Sequence, residues 1–255
     1  MAPKVVLITG CNRGIGRGLL ELYLAKPNHI VIAANRDIEH ASSKALQDLP
    51  KAQGTSLIVV QNDATVSTDA AKMVKQLASH GIDHLDIIIA NAGVANLWCK
   101  VSEVTADDIQ KHVVPNIYGF IWLYQATLSL LKKSPSPLWI TIGSSAAFLT
   151  SDACILISDR NMVPMKNAAY APTKLVQHWY TKAIHLEEPE ITALPIDPGW
   201  VQTDIGNRGA DAFGFEQAAI SVDQSVQGMI KVIDVATRET HGGKMWMWDG
   251  KEVPW

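Results

Sequence analysis

Cysteine is scarce in this chain. The three present, Cys11, Cys99 and Cys154, are odd in number and far apart. No CxxC pair occurs, so neither a disulfide framework nor a zinc site of the usual spacing is expected. Reduced thiols of this kind suit a reducing compartment. Charge is also sparse: 18% of residues are charged and the formal net charge is −3. That balance supplies no basic footprint for nucleic acid or anionic lipid. Long apolar runs are missing too. The longest stretch, GFIWLYQATLSLL, is broken by Gln125 and Thr127 and is shorter than the roughly 20 residues of a membrane span. No Asn-x-Ser/Thr acceptor is present. The first apolar run begins at Lys4, which leaves no room for a signal or transit peptide. Together these absences predict a cytoplasmic protein with no membrane or nucleic-acid partner.

What the chain has is apolar content, 47% of 255 residues, ample for a sizeable core. Runs of strand length lie at 4–9 (KVVLIT), 29–34 (HIVIAA), 56–61 (SLIVVQ), 85–90 (LDIIIA), 138–143 (LWITIG), 191–196 (ITALPI) and 243–248 (GKMWMW). They are nearly all apolar instead of alternating, the pattern of a parallel sheet covered on both faces. Segments with helical spacing stand between them, at 15–25, 66–79, 105–131, 170–187 and 221–238. Such alternation predicts one doubly wound α/β domain over residues 1–255, with about seven strands and helices on both faces. Residues 150–169 and 204–220 fit no element well. Segments of that length in a compact domain are often binding loops or lids.

The first strand runs into TGCNRGIG, residues 9–16. A glycine-rich turn between strand and helix lets backbone N–H groups approach a pyrophosphate, and the helix N-terminus favours its charge. Gly10, Gly14 and Gly16 have the spacing G-x-x-x-G-x-G, with Asn12, Arg13 and Ile15 between them. Further on, AAYAPTKL sets Tyr170 four residues ahead of Lys174, on one face if the segment is helical. Pro172 is tolerable in a first helical turn. An ammonium close to a phenol favours phenolate and lowers a pKa otherwise near about 10.

The glycine spacing resembles the T-G-x-x-x-G-x-G motif of the short-chain dehydrogenase/reductase family. Other positions extend the resemblance in order along nearly the whole chain. Asn91, Ala92 and Gly93 follow the fourth strand; Asn116 sits in the long helical stretch; Ser144, beside Ser145, follows the fifth strand. Tyr170 and Lys174 come next, then Pro198, Gly199, Val201 and Thr203 after the sixth strand. The resemblance implies a Rossmann-type fold and a nicotinamide dinucleotide. It implies that Asn116, Ser144, Tyr170 and Lys174 form the catalytic set. Tyr170 would exchange a proton with the substrate oxygen, and Ser144 would hydrogen-bond that oxygen. Lys174 would also bind the nicotinamide ribose, and Asn116 would hold a water linking Lys174 to solvent. It further implies contacts to the dinucleotide from the glycine turn, from Asp63 near the adenine, and from Asn91 to Gly93. A homodimer or homotetramer is the common assembly. One departure stands out: Ser144 and Tyr170 are 26 residues apart, about twice the family's usual interval, which suggests a longer substrate loop.

The second strand ends AANRD. In the family's register Asn35 takes the acidic position that holds an NAD ribose. Arg36 follows it and would pair with a 2′-phosphate through its guanidinium fork, with Arg13 on the same group. NADP(H) is therefore expected, with Asp37 on an unphosphorylated ribose as the competing arrangement.

The tail resembles the fungal norsolorinic acid ketoreductase-like group, near the C-factor and sniffer-type carbonyl reductases. The residues are Pro198 to Asp204, Gly214 to Glu216, Ser221 to Lys244 and Trp248 through Trp255. The resemblance implies reduction of a ketone on an aromatic polyketide or another conjugated carbonyl in secondary metabolism. Eight tryptophans suit a pocket for flat ligands. Trp246, Trp248 and Trp255 are the expected wall, with Trp98 and Trp200 nearer the nicotinamide. His112, His178 and His185 have no metal-ligand company and read as surface or interface residues, so no metal is expected. Two other readings stay open: non-redox cyclase, dehydratase or isomerase chemistry by Tyr170, and a non-catalytic NADP(H) sensor.

Overall fold

The computed structural model describes residues 2–149 and 166–254, with the backbone of Ile155–Ser158 and Asn161–Pro164. Cys154, Trp255 and the rest of the 150–165 stretch lie outside the described residues.

β1 (Lys4–Thr9) leads through the glycine turn into α1 (Gly14–Leu24). β2 (His29–Asn35), α2 (Ala41–Lys44) with a 3-10 turn (Ala45–Asp48), and β3 (Ser56–Gln61) follow. Then come α3 (Asp69–Ser79) and β4 (Ile87–Ala90). The long helical stretch is divided: α4 (Ala106–Val113), a π-turn (Val114–Tyr118) and α5 (Gly119–Leu131). Pro115 explains the division, since it lacks the N–H that an unbroken ladder needs. Asn116 rides on that turn. β5 (Leu138–Ile142) precedes an antiparallel hairpin, β6 (Ile155–Ser158) and β7 (Asn161–Pro164). The chain ends with α6 (Ala171–Glu187), β8 (Thr192–Asp197), α7 (Asp204–Phe213), α8 (Val222–Val235), β9 (Met245–Met247) and β10 (Glu252–Val253).

The main sheet has eight strands in the order β10-β9-β8-β5-β4-β1-β2-β3, all parallel except the β9–β10 pair. It exceeds the expectation by the short strand β10. In β1 alternate residues serve two cores. Val6 and Ile8 pack with Leu19, Leu24, Met229 and Ile233 on the α1–α8 side. Val5 and Leu7 pack with Met73, Leu77, Phe120 and Leu123 on the α3–α5 side. Both faces are covered, which is why the strands read as unbroken apolar runs. The strand order reverses between β1 and β4, so the carboxyl ends of those two strands open onto the crevice where such sheets bind ligands.

Residues 204–220 do contain an element, contrary to the expectation. Thr203 caps α7 by accepting from Gly206 N at 3.1 Å, and Gly214 (φ +81°) ends it. Gly206, Asn207 and Gly209 weaken the helical signal. Gly206 is needed because a Cβ there would fall on the Val201 carbonyl.

No helix among the described residues is long and apolar enough to cross a membrane.

Candidate active site

The glycine turn is held by backbone contact. Gly10 (φ +70°) and Gly14 (φ +54°) take conformations that side chains disfavour. A Cβ on Gly16 would strike the Gly10 carbonyl and stand 2.5 Å from Asn91 Nδ2. Asn91 Nδ2 donates to Thr9 O at 2.8 Å, while Asn91 N and Ala92 N donate to Thr9 Oγ1 at 3.0 and 2.9 Å. The Asn-Ala-Gly segment thereby ties the ends of β1 and β4 together. Arg13, extended at the N-cap of α1, offers no side-chain acceptor to the first helical amides. Those amides are available for an anion.

Asn35 is buried, and its Oδ1 accepts Cys11 N at 2.7 Å. Its amide therefore braces the turn from within. Asp37 Oδ1 accepts the amides of Glu39 and His40. Arg36 is exposed and lines the crevice beside Asp37 and His40. Arg13 also lines it and pairs with Asp204 at the start of α7. Asp63 lines it as well, accepting from Thr65 N at 2.8 Å.

A single cavity of about 670 Å³ receives Gly10, Asn12, Arg13, Gly14, Ile15, Gly16, Arg36, Asp63 and Asn91 to Gly93 at one end. Pro198, Gly199, Val201 and Thr203 also line it, as do Ser144, Tyr170 and Lys174. Asn116 is fully buried behind that wall. Its Oδ1 accepts Val94 N at 2.8 Å and its Nδ2 donates to Thr173 Oγ1 at 3.0 Å. The Asn116 carbonyl accepts from Gln177 Nε2.

Tyr170 stands at the N-cap of α6, with Pro172 in the first turn. The Ser144 hydroxyl hydrogen-bonds the phenol and lowers its pKa, but burial dominates and pushes it above the ordinary value; buried Asp197 adds to the rise. The lowering expected from Lys174 is not found. Lys174 Nζ lies 5.8 Å from the centre of the Tyr170 ring and donates to the Ile142 carbonyl at 2.8 Å. Burial brings Lys174 down to about 8, against the opposing charge of Asp197. Asp197, missed in the sequence, ends β8 at 1% exposure. Its carboxylate accepts Ser145 N at 3.0 Å and Gly199 N at 2.9 Å, and burial raises its pKa. Only its position before Pro198 hinted at it.

The cavity has an aromatic wall, made by the two tryptophans expected nearer the nicotinamide and not by Trp246 or Trp248. Trp98, Trp200 and Phe213 line the cavity. The Trp200 ring stands edge-on to Phe213 and Phe215, and its Nε1 donates to Gly206 O at 3.0 Å. Trp98 lies against α7, where a Cβ on Gly209 would sit 3.3 Å from its indole. Trp246 instead stacks on His241 at 4.2 Å, and Trp248 wedges between Gly199 and Gly228. Both face a separate groove along α8. Trp255 lies outside the described residues.

Two histidines read as surface residues are buried. His112 Nε2 accepts Asn96 N at 2.9 Å, and His178 Nε2 accepts Ser144 N at 3.2 Å. His185 is half-buried against Gly242 and Gly243. No group of three metal-ligating side chains occurs among the described residues.

Residues 4–212 match the short chain dehydrogenase family. The chain is 38% identical to a norsolorinic acid ketoreductase of Dothistroma septosporum over 253 residues, covering 98% of this chain and 91% of that protein. It is 37% identical to a norsolorinic acid ketoreductase of Aspergillus parasiticus, covering 98% and 91%. Among solved structures it is similar to the NADPH-bound carbonyl reductase from chicken fatty liver, at a TM-score of 0.85 and 25% identity, covering 100% of this chain and 95% of that one. The carbonyl reductase Sniffer of D. melanogaster shares the fold at a TM-score of 0.79 and 23% identity, covering 99% and 100%.

Proposed function

The chain belongs to the short-chain dehydrogenase/reductase family, oxidoreductases that work on the CH–OH/C=O pair with a nicotinamide cofactor, and on that premise we propose that it is an NADPH-dependent ketoreductase. Its substrate is a ketone on an aromatic polyketide or a similar conjugated carbonyl. The observation that carries this reading is the single cavity joining the glycine turn, the Ser144–Tyr170–Lys174 cluster and the wall of Trp98, Trp200 and Phe213.

The residues fit a phosphorylated dinucleotide. The first amides of α1 and the bare glycines suit the pyrophosphate. Arg36 takes the 2′-phosphate with help from Arg13, because Asn35 faces inward and Asp37 caps its own turn. Asp63 would meet the adenine end, and Asn91 to Gly93 with Pro198 to Thr203 would flank the nicotinamide end; all of them line the cavity. The bound cofactor supplies hydride to the carbonyl carbon.

Tyr170 gives its proton to the carbonyl oxygen, and Ser144 donates a hydrogen bond to the same atom. A phenol held above its ordinary pKa stays protonated, which suits the reductive direction. Lys174, near 8, exchanges protons readily around neutrality and replenishes Tyr170. Asn116 holds the π-turn against Val94 and α6, keeping that face of the site in place. A ring-lined pocket favours a flat ligand. Asn167, just past the stretch that lies outside the described residues, lines it, and the 204–220 region, carrying α7, acts as its lid. Trp179 and Leu186, 66% and 69% exposed on α6, support a homodimer or homotetramer through that helix. The protein works in the cytoplasm.

The test is NADPH consumption with a panel of hydroxyanthraquinone-type ketones and simple quinones, with NADH and Tyr170→Phe alongside. A product two hydrogens heavier, lost in the variant, is expected. Substrate conversion without NADPH loss would replace this reading with the non-redox one.

A further inference from the structure

Three side chains of the Tyr170–Glu187 stretch fall one helical turn apart on one stripe. They meet three consecutive residues at the end of β5. Tyr170 hydrogen-bonds the Ser144 hydroxyl. Lys174 Nζ reaches the Ile142 carbonyl at 2.8 Å. His178 Nε2 accepts the Ser144 backbone N–H at 3.2 Å. Gly143, between them, lies flat on the imidazole: a Cβ there would stand 2.6 Å from His178 Nε2. We propose that His178 is a positioning residue of this site, fixing the Ser144 backbone and so where the Ser144 hydroxyl meets the substrate oxygen. The inference rests on the role given above to Ser144.

The amides of this turn each have a defined acceptor. Gly143 N donates to Ile196 O at 2.8 Å, Ser145 N to Asp197 Oδ2 at 3.0 Å and Ala146 N to Ser144 Oγ at 3.2 Å. Ser144 N relies on His178. Without that acceptor it would be a half-buried donor with no protein partner, and the turn would shift to find one. A serine hydroxyl is one bond from Cβ, so a backbone shift passes directly to the oxygen. Misplacement of a reacting group by about 1 Å is enough to slow chemistry by an order of magnitude or more. Acceptance requires an unprotonated Nε2. His178 is 1% exposed, and burial together with the Lys174 charge holds the imidazole down at about 3. It remains an acceptor throughout the neutral range.

A packing role and a positioning role separate by atom placement. The Oε1 of glutamine stands at the reach of histidine Nε2, and the Oδ1 of asparagine at the reach of Nδ1. We expect kcat for NADPH-driven reduction of an ortho-quinone to fall about tenfold in His178→Leu and His178→Asn, with KM for NADPH within about twofold of the parent. His178→Gln should recover to within about threefold. His178→Leu should cost nothing further in a Ser144→Ala background. Hydrogen exchange should show the Ser144 amide losing protection in His178→Leu and regaining it in His178→Gln. A His178→Leu enzyme with parental kcat and a protected Ser144 amide would overturn the proposal, as would His178→Gln no better than His178→Asn. A Ser144→Ala enzyme at full rate would instead remove the role given to Ser144; the exchange readout would still report whether His178 holds the turn.

Discussion

The two ends of the cavity are made of opposite materials. At the end proposed for the phosphates the defining feature is side chains that are missing, with Gly10 and Gly14 at positive φ and Gly16 pressed on the Gly10 carbonyl. Its charged groups, Arg13 and Arg36, stand in solvent. At the carbonyl end the wall is large rings, and the charged groups, Lys174 and Asp197, are 4% and 1% exposed. A site built from backbone tolerates no added atom but binds any ligand with the right phosphates. A site built from rings yields to substitution and selects its ligand by shape.

The sharpest way to break this contrast is to add atoms at the phosphate end. Gly16→Val should weaken NADPH binding by about a hundredfold or lower the melting temperature severely, since the added carbons meet backbone. Gly214→Ala, at a positive φ that Gly16 does not have and with open space around it, should cost roughly 1 kcal/mol of stability and leave binding intact. Fluorescence titration and thermal melts distinguish the two. Equal effects would mean that turn conformation, not close approach, is what the glycines supply.

Next in size is the phosphate charge. Arg36→Ala should weaken NADPH by about 10- to 100-fold while NADH is nearly unchanged. An equal loss for both cofactors would place Arg36 elsewhere than on the 2′-phosphate.

Trimming rings at the carbonyl end should be gentler. Trp98→Ala should raise KM for an aromatic ketone by about three- to tenfold and spare KM for NADPH. Trp246→Ala, in the separate groove along α8, should change neither. If Trp246→Ala raised the ketone KM instead, the wall would be misassigned.

The last of these concerns the buried lysine. Lys174 sits near 8 in the folded chain against an ordinary 10.5. Between those values the unfolded chain holds the extra proton, so this group's contribution to stability is level below about pH 8 and rises with pH above it. The raised Tyr170 phenol opposes the trend from about pH 10 upward. Urea midpoints between pH 8 and 10 should therefore rise in the parent relative to Lys174→Met. Parallel slopes would contradict the lowered value.

The same contrast decides what could be read from the sequence. The glycine turn, Asn91 to Gly93 and the Tyr170–Lys174 pair are written in short spacings, and all of them line one cavity. The strands declared themselves because burial on both faces leaves no polar positions. What depended on long-range packing was misread. Trp246 and Trp248 carry the same aromatic signal as Trp98 and Trp200, yet they line the groove along α8 and not the cavity. His178 looked like any helix histidine until Gly143 brought β5 within hydrogen-bonding reach. The helix Asp204–Phe213 was hidden by glycines that its close packing requires.

In the proposed reaction the two ends meet over one reacting carbonyl. The direct measurement uses NADPH deuterated at the transferable position, a hydroxyanthraquinone-type ketone, and mass analysis of the product. Deuterium on the new carbinol carbon, in amounts matching NADPH lost and absent with Tyr170→Phe, is the predicted result. A converted substrate without deuterium, with NADPH intact, would contradict it.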